Sequence, residues 1–548
     1  MKPRRVLVLQ LCRMGDILQT TPMLRGIRRE HPDWHVTLVL LDGFASVPIP
    51  TRLYDRLVSF PHSALFATVA TNPDQWRDGL TRLRSLIEEL GSEPYDLALN
   101  LTHSDVSGYL MAAVPSRERR GVVFGADRKR AIRGAWMQYF WATARSRLLR
   151  AFNLVDLYTW SADVGCDDGA LDLAVPDPAR HRIEEWLNEH KAGVRPLIAL
   201  QLGASEQIRQ WRPENFAGLV DQLPADVADF VLVGTAGERP LADRFKAVVR
   251  RPVLDAVGST SLTELGALLG RCRLLVTNDT GTMHVATAVG TKVLEITLGP
   301  ALAHETGPYG VGHLIVEPEI ACFPCPAGAD CNHRSCHEYL SPGAGAALVR
   351  FAMGEPGVPT VPGGRVLCAV RAASGGVEYR PLVASTMKPT DILRDLTGQA
   401  WGDSLGFPHP AAGVQAPKRD LLPSGLTDWA WATPVIKALA EVETEARNAG
   451  ALLRRLPGAP RKEQADLAAR THRHLERLLL LGEIEPSCLP LVTGLRVELE
   501  SIVASDLRTL TRTQTAAYLA VSGRAIRLAS LLSACAPAPS CATMSAGI

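Results

Sequence analysis

The chain has 548 residues, enough for two or three domains, and its 46% hydrophobic and 21% charged residues are ordinary for a soluble globular protein. A formal net charge of +2 excludes any global electrostatic case for nucleic-acid binding. No apolar run reaches the roughly 18 to 20 residues of a membrane span. Residues 1–11 lack a signal-like apolar core, so a reduced, cytoplasmic setting is expected for the eleven cysteines, not a disulfide framework.

Residues 6–11 read as a parallel strand buried on both faces. A turn, Cys12 to Asp16, follows. Ile17, Leu18, Met23, Leu24 and Ile27 then recur at near-helical spacing up to Glu30, and Pro32 ends the helix. Residues 36–41 and 97–101 are further strands, with an amphipathic helix over 76–90 between them. Strands alternating with helices predict a parallel sheet, which binds ligands at the carboxyl ends of its strands. The Gly15-Asp16 turn and the Asn100 to Ser104 segment lie at such ends, which makes His103 and Ser104 candidate acceptor contacts; a plain loop histidine is the alternative. Asp16 opens a helix, either as a capping carboxylate or as a general base kept ionised by the helix dipole. Residues 117–150 are rich in Arg and Lys, with Trp136, Tyr139, Phe140 and Trp141 interleaved. Solvated helix faces are the plainer reading, and an acidic acceptor or anionic membrane surface is the functional one.

A connector and helix over 176–190 lead to a second α/β series. Residues 197–202, 230–234, 274–276 and 293–298 read as strands, and 216–223 and 262–269 as helices between them. Two such series predict two Rossmann-like domains facing across a cleft. Within the second, Val276 to Ala288 reads Val-Thr-Asn-Asp-Thr-Gly-Thr-Met-His-Val-Ala-Thr-Ala: strand, tight polar turn, helix start. Unpaired N–H groups and the helix dipole make such an end an anion site. Gly281 opens the backbone to close approach, and His284 lies one turn in. Ser205 with Arg209 is a second phosphate candidate, and Glu238 a candidate acceptor for a ribose or sugar hydroxyl. Each turn alone fits an ordinary strand-to-helix connection. Several of them at one end of one sheet fit that less easily.

Taken in order, Met14-Gly15-Asp16 with Thr20-Thr21-Pro22, Gly203-Ala204-Ser205 with Trp211 and Pro213, Asn278-Asp279-Thr280-Gly281-Thr282-Met283-His284, Gly299-Pro300 and Gly307-Pro308-Tyr309-Gly310 resemble glycosyltransferase family 9, the ADP-heptose:lipopolysaccharide heptosyltransferases. The resemblance spans about residues 4–345. It implies the two-domain GT-B fold and an inverting, metal-independent transfer without a cofactor. The donor would be a nucleotide sugar of the ADP-heptose kind, and the acceptor a lipopolysaccharide core or other lipid-linked saccharide. By the same resemblance Asp16 is the base; Thr280, Gly281 and His284 hold the diphosphate and Asp279 shapes the turn. Ser205 and Arg209 support the phosphates, and Glu238 binds the ribose. The family usually has Lys where Arg209 stands, and Phe and Thr where Leu298 and Ala301 stand.

Cys322, Cys325, Cys331 and Cys336 form the only dense cysteine group, with His333 and His337 among them. Four thiolates in so short a stretch suit a structural zinc site, but the paired CxxC knuckles of a zinc ribbon are lacking, and structural cysteines are the preferred reading. The division expected is 1–170 and 171–345 as Rossmann-like domains, 346–428 as a linker with a small hairpin (366–370 and 377–382), 429–534 as a helical extension and 535–548 as a disordered tail. Residues 401–424 read as loop, and 435–456, 463–481, 490–504 and 507–532 as helices. The helical part is a packed bundle or self-association module on the plain reading. A membrane-docking role at the cytoplasmic face of the inner membrane is the functional one. The rival to an enzyme is an inactive nucleotide-sugar-binding module acting through its helical extension. A dehydrogenase is disfavoured, since the first strand-turn-helix has no Gly-x-Gly-x-x-Gly run.

Overall fold

The computed structural model describes residues 3–63, 65, 76–167, 169–192, 195–326, 328–407, 429–504 and 506–535. The chain divides into two compact units. The first comprises Met1–Thr102, Ala113–Glu118 and Phe152–Val383, and the second His103–Ala112, Arg119–Ala151 and Ala384–Ile548. The sequence-read boundaries at 170/171 and 345/346 therefore fall inside the first unit.

The first unit opens with β1 (Arg5–Gln10), β2 (His35–Leu41), β3 (Arg56–Phe60) and β4 (Tyr95–Asn100), paired in parallel in the order β3-β2-β1-β4. β1 is central: Val8 stands opposite Leu38 on one side and Leu99 on the other. Its residues from Val6 to Gln10 are all buried, as a central parallel strand covered on both faces demands. The single helix expected up to Glu30 is two, Met14–Gln19 and Thr21–Glu30. Pro22 has no N–H to give Leu18, which breaks the ladder, and the Thr21 hydroxyl donates to the Leu18 carbonyl instead, at 2.6 Å. The amphipathic helix Trp76–Leu90 lies where its pattern places it.

β5 (Ser116–Phe124) and β6 (Arg130–Arg133) form an antiparallel hairpin with Val122 opposite Ile132. The chain then returns to the first unit for β7 (Leu197–Gln201), β8 (Asp229–Val233), β9 (Leu254–Asp255), β10 (Cys272–Asn278), β11 (Lys292–Ile296), β12 (Leu314–Pro318), β13 (Gly364–Arg371) and β14 (Val377–Pro381), in sheet order β14-β13-β12-β11-β10-β7-β8-β9. The pairings from β9 through β12 are parallel, and β13 and β14 are antiparallel. The hairpin read inside the linker thus completes this sheet: Val366 pairs with Val316, and Tyr379 with Ala369. It covers backbone donors and acceptors that β12 would otherwise present as an edge. Trp211, Phe216, Phe230 and Tyr339 fill the core beside it.

The second unit is largely helical: Pro389–Leu405, Ala432–Arg455, Arg461–Ile484, Leu489–Glu500 and Leu507–Cys535. Leu439, Val442 and Ala446 share one apolar cluster with Val521, Ala525 and Leu528. Residues 401–405 are helix where loop was expected. Gly398, Gly402 and Ser404 dilute the apolar pattern there, and the Phe407 ring packs into the space that a Cβ at 402 would occupy. Trp401 is fully buried, with the Arg524 guanidinium 3.8 Å above its ring and Tyr139 edge-on at 5.3 Å. The aromatics of the basic 117–150 stretch are thereby used in packing. Residues 408–424 of the predicted loop, 425–428 of the predicted linker and 536–548 of the predicted tail lie outside the described residues. Among the described residues no helix is long and apolar enough to cross a membrane.

Candidate active site

Asp16 sits on the third residue of the helix that leaves β1. Its carboxylate accepts the Arg13 N–H at 3.2 Å and so closes the helix start. Behind it, fully buried Gln10 donates to the Thr20 hydroxyl at 2.9 Å and to the Asp16 carbonyl at 3.3 Å, while Thr20 donates to that same carbonyl at 2.9 Å. These bonds fix the helix on the end of its strand. Burial raises the Asp16 pKa above the ordinary carboxylate value; the Arg13 N–H opposes this, and the negative charge of Asp279 adds to it. The helix-end effect expected from sequence, a stabilised anion and a weak base, is outweighed by desolvation. The carboxylate is a stronger base than its position in sequence implies.

The second element is the turn at the end of β10. Asn278, fully buried, accepts the Trp211 N–H at 2.9 Å and donates to the carbonyls of Leu202 and Gly203 at 2.9 and 3.2 Å. One side chain therefore ties the turn to the loop after β7. Asp279 forms an ion pair with Arg209, which also donates to Ser205 Oγ at 3.2 Å. Helix Gly281–Ala288 follows, with Thr280 at its cap position and no side chain closing its first turn. His284 is buried and its pKa is pushed down to about 4 by desolvation, so the imidazole is neutral near pH 7. Its Nδ1 has no hydrogen-bond partner among the described residues.

The two elements meet. A Cβ on Gly15 would stand 2.7 Å from His284 Cδ2, and one on Gly281 would stand 2.7 Å from Met14 Cε. Glycine at 15 lets the Asp16 helix approach the buried His284 ring, whereas at 281 only the flexible tip of Met14 would have to shift. Both contacts lie within the first unit.

The remaining predicted residues are placed less simply. The Glu238 carboxylate accepts Gln201 Nε2 at 2.8 Å, the Thr235 N–H at 2.6 Å and the Thr235 hydroxyl at 3.0 Å. A carboxylate offers about four acceptor positions, so roughly one stays open. Gly203 faces it; any larger residue there would collide with Glu238 Oε1. His103 and Ser104 belong to the second unit. His103 stacks on Phe140 at 4.0 Å, and burial lowers its pKa to about 3. Ser104 Oγ accepts the Ser107 N–H at 3.2 Å, as a helix cap does.

Cys325 and Cys336 are buried, Cys331 is half-buried and Cys322 exposed, and all four are free thiols. Among the described residues no three His, Cys, Asp or Glu side chains converge to hold a metal. The segment braces the Arg209 loop instead: His337 Nε2 lies 3.0 Å from the Ile208 carbonyl, and Arg334 donates to Gln207 Oε1 at 3.1 Å. Sequence reading missed this bracing role of His337 and Arg334. It also missed Gln10, Asn278 as a clamp, and Glu295, a fully buried carboxyl on β11 pushed well above its usual pKa by burial and then by the charge of Asp279. A polar residue inside an otherwise apolar strand was the available signal at Gln10 and Glu295.

Residues 83–333 match the family model for glycosyltransferase family 9 (heptosyltransferase). Asp16 precedes that stretch. The chain is 24% identical over 300 residues to lipopolysaccharide heptosyltransferase 3 of Escherichia coli K12, covering 52% of this chain and 79% of that protein. It is 26% identical over 341 residues to lipopolysaccharide heptosyltransferase 1 of Pseudomonas aeruginosa, covering 59% and 86%. Among solved structures, the E. coli ADP-heptose lipopolysaccharide heptosyltransferase II aligns at 18% identity and a TM-score of 0.45, over 64% of this chain and 98% of that one. The ordered motifs and these relatives agree: over residues 83–333 the chain is similar to glycosyltransferase family 9 (heptosyltransferase), and a mainly helical extension follows its α/β portion.

Proposed function

We propose that the protein is an inverting glycosyltransferase that moves heptose, or a related sugar, from a nucleotide-sugar donor, ADP-heptose, to a lipopolysaccharide-core or other lipid-linked saccharide acceptor. The observation that carries the reading is the approach of Met14-Gly15 to Gly281 and His284, which sets a base-competent carboxylate beside an open helix start. Relatives named as heptosyltransferases support the sugar and the acceptor class.

In this reading the donor diphosphate rests on the N–H groups that begin helix Gly281–Ala288, with Thr280 and His284 beside it. A neutral His284 would offer a ring N–H to a phosphate oxygen without adding charge. Arg209, now on Asp279, would share its fork with the phosphates, steadied by Ser205. Glu238 would take a ribose hydroxyl. The acceptor hydroxyl attacks the anomeric carbon from the side opposite the leaving diphosphate, and Asp16 takes its proton as the new glycosidic bond forms. Negative charge growing on the nucleoside diphosphate is met by the helix start and the guanidinium, fixed donors worth about 3–4 kcal/mol each. His103 and Ser104 remain proposed acceptor contacts. The work takes place on the cytoplasmic side, at the membrane surface that carries the acceptor.

The test is a panel of nucleotide sugars read by melting temperature, followed by transfer to a heptose-deficient lipopolysaccharide core. A ligand that binds only the folded chain must raise its melting temperature. ADP-heptose should give the largest rise and be consumed with product of inverted anomeric configuration. A larger rise with another sugar, or retained configuration, would overturn the reading.

A further inference from the structure

The second unit holds a cavity of about 500 Å³ between the end of helix Ala432–Arg455 and the start of helix Leu507–Cys535. Arg454, Arg508, Arg512, Thr511, Thr515 and Leu519 line it. Its size is that of sites for small ligands, roughly 300–1,000 Å³. Residues 508, 512, 515 and 519 recur at four- and three-residue steps, so they form one stripe on one helix face.

Three guanidinia on one cavity repel one another unless a counter-charge stands among them. Other arginines of this unit have theirs: Arg496 is on Glu500, Arg524 on Glu498 and Arg527 on Asp403. Among the described residues no carboxylate pairs with Arg454, Arg508 or Arg512. A second, independent observation comes from Thr515. It is 7% exposed, it lines the cavity, and its hydroxyl has no hydrogen-bond partner among the described residues. A buried hydroxyl left unpaired is costly unless a ligand takes it up. Leu519, 41% exposed and at the end of that stripe, and Pro457 add apolar carbon to the lining.

We propose that this cavity is a binding site for a phosphate ester borne on a partly apolar ligand. The arginine forks meet the phosphate oxygens, the Thr515 hydroxyl donates to one of them, and the Leu519 wall covers the ester's carbon skeleton. Forked guanidinia bind phosphate oxygens bidentately, which a point-charge ammonium or a single neutral donor does not. The site is separate in sequence and in unit from the Asp16 turn and does not depend on the donor assigned there.

The experiment uses the full-length chain with two probes: glycerol 3-phosphate, followed by calorimetry, and vesicles of phosphatidylglycerol, followed by co-sedimentation against phosphatidylcholine. The expected result is binding of at least one probe that weakens ten-fold or more in R508Q/R512Q and several-fold in T515V, a change that keeps the side chain's shape. R496Q, at an exposed pair elsewhere in the unit, should bind as wild type does. Loss confined to the vesicles identifies a lipid headgroup; loss with both probes identifies a soluble ester. Melting curves without ligand establish that the variants are folded, which surface Arg→Gln changes allow. Failure of both probes to bind, or equal binding by wild type, R508Q/R512Q and T515V, would overturn the proposal.

Discussion

Gly15 lies so close to His284 that a Cβ on it would stand 2.7 Å from the ring carbon Cδ2. The two residues lie on helices that follow strands of different sheets in the first unit, and their approach sets the spacing between Asp16 and the helix start at Gly281. A Gly15→Ala variant should push the helix Met14–Gln19 outward by a fraction of an ångström to about 1 Å. A displacement of that order near reacting groups costs about 10²-fold in rate. Steady-state kinetics should show the loss mainly in kcat; a rate within two-fold of wild type would mean that the spacing is not critical.

Asp16→Asn keeps the shape and removes the base. The transfer rate should fall by about 10²- to 10⁴-fold, with donor affinity by calorimetry little changed. Because burial raises the Asp16 pKa, the wild-type rate should decline on acidification at a pH above the ordinary carboxylate value of 3.8. The stability sign is opposite. A carboxyl whose folded pKa is raised contributes its stability below the unfolded pKa and loses it as pH rises through the folded one. At pH 7 Asp16→Asn should therefore melt no lower than wild type.

Arg209 and Asp279 should be energetically coupled. Their side chains are 21% and 8% exposed, so solvent screens the pair only partly. A double-mutant cycle with Arg209→Gln and Asp279→Asn should give a coupling of about 0.5–3 kcal/mol in stability. Arg209→Gln alone should weaken nucleoside diphosphate binding, while Asp279→Asn frees the guanidinium. Additive effects would show that the pair is not a unit.

Burial, and then the charge of Asp279, push the Glu295 carboxyl well above its usual pKa, which favours its neutral form. Its neutral isostere should fit: Glu295→Gln is expected within about 1 kcal/mol of wild type in urea unfolding. Glu295→Ala should cost about 2–4 kcal/mol, since it leaves a void beside Thr297, whose hydroxyl lies 3.2 Å from the carboxyl. Equal losses in both variants would mean that the ionised form is needed.

Asp156, fully buried, accepts the Tyr309 hydroxyl at 2.6 Å and the Val377 N–H at 3.3 Å, and desolvation raises its pKa to about 7. Its contribution to stability is complete below about pH 4, its unfolded range, and is lost as pH rises toward 7. Melting temperatures from pH 5 to 8 should fall along this window in wild type, and the fall should be shallower in Asp156→Asn. An identical pH dependence in the two proteins would refute the assignment.

The local grammar of this chain was legible without coordinates. Apolar runs marked β1, β7 and β10, Pro32 and Asn278-Asp279 marked their interruptions, and helical apolar patterns marked the late helices, because burial of a strand or helix face is written in nearest neighbours. Asp16 and the turn to His284 were visible for the same reason: each is a single strand-turn-helix. What the tertiary structure decided is every relation across long separations. It made Gln10 and Asn278 clamps, it set Glu295 beside Asp279, and it raised the Asp16 pKa that helix position alone would lower. It also drew residues 119–151 out of the first α/β series and gave the 364–381 hairpin to the second sheet. Desolvation and pairing depend on which distant side chains arrive at a site, and no spacing pattern encodes that arrival.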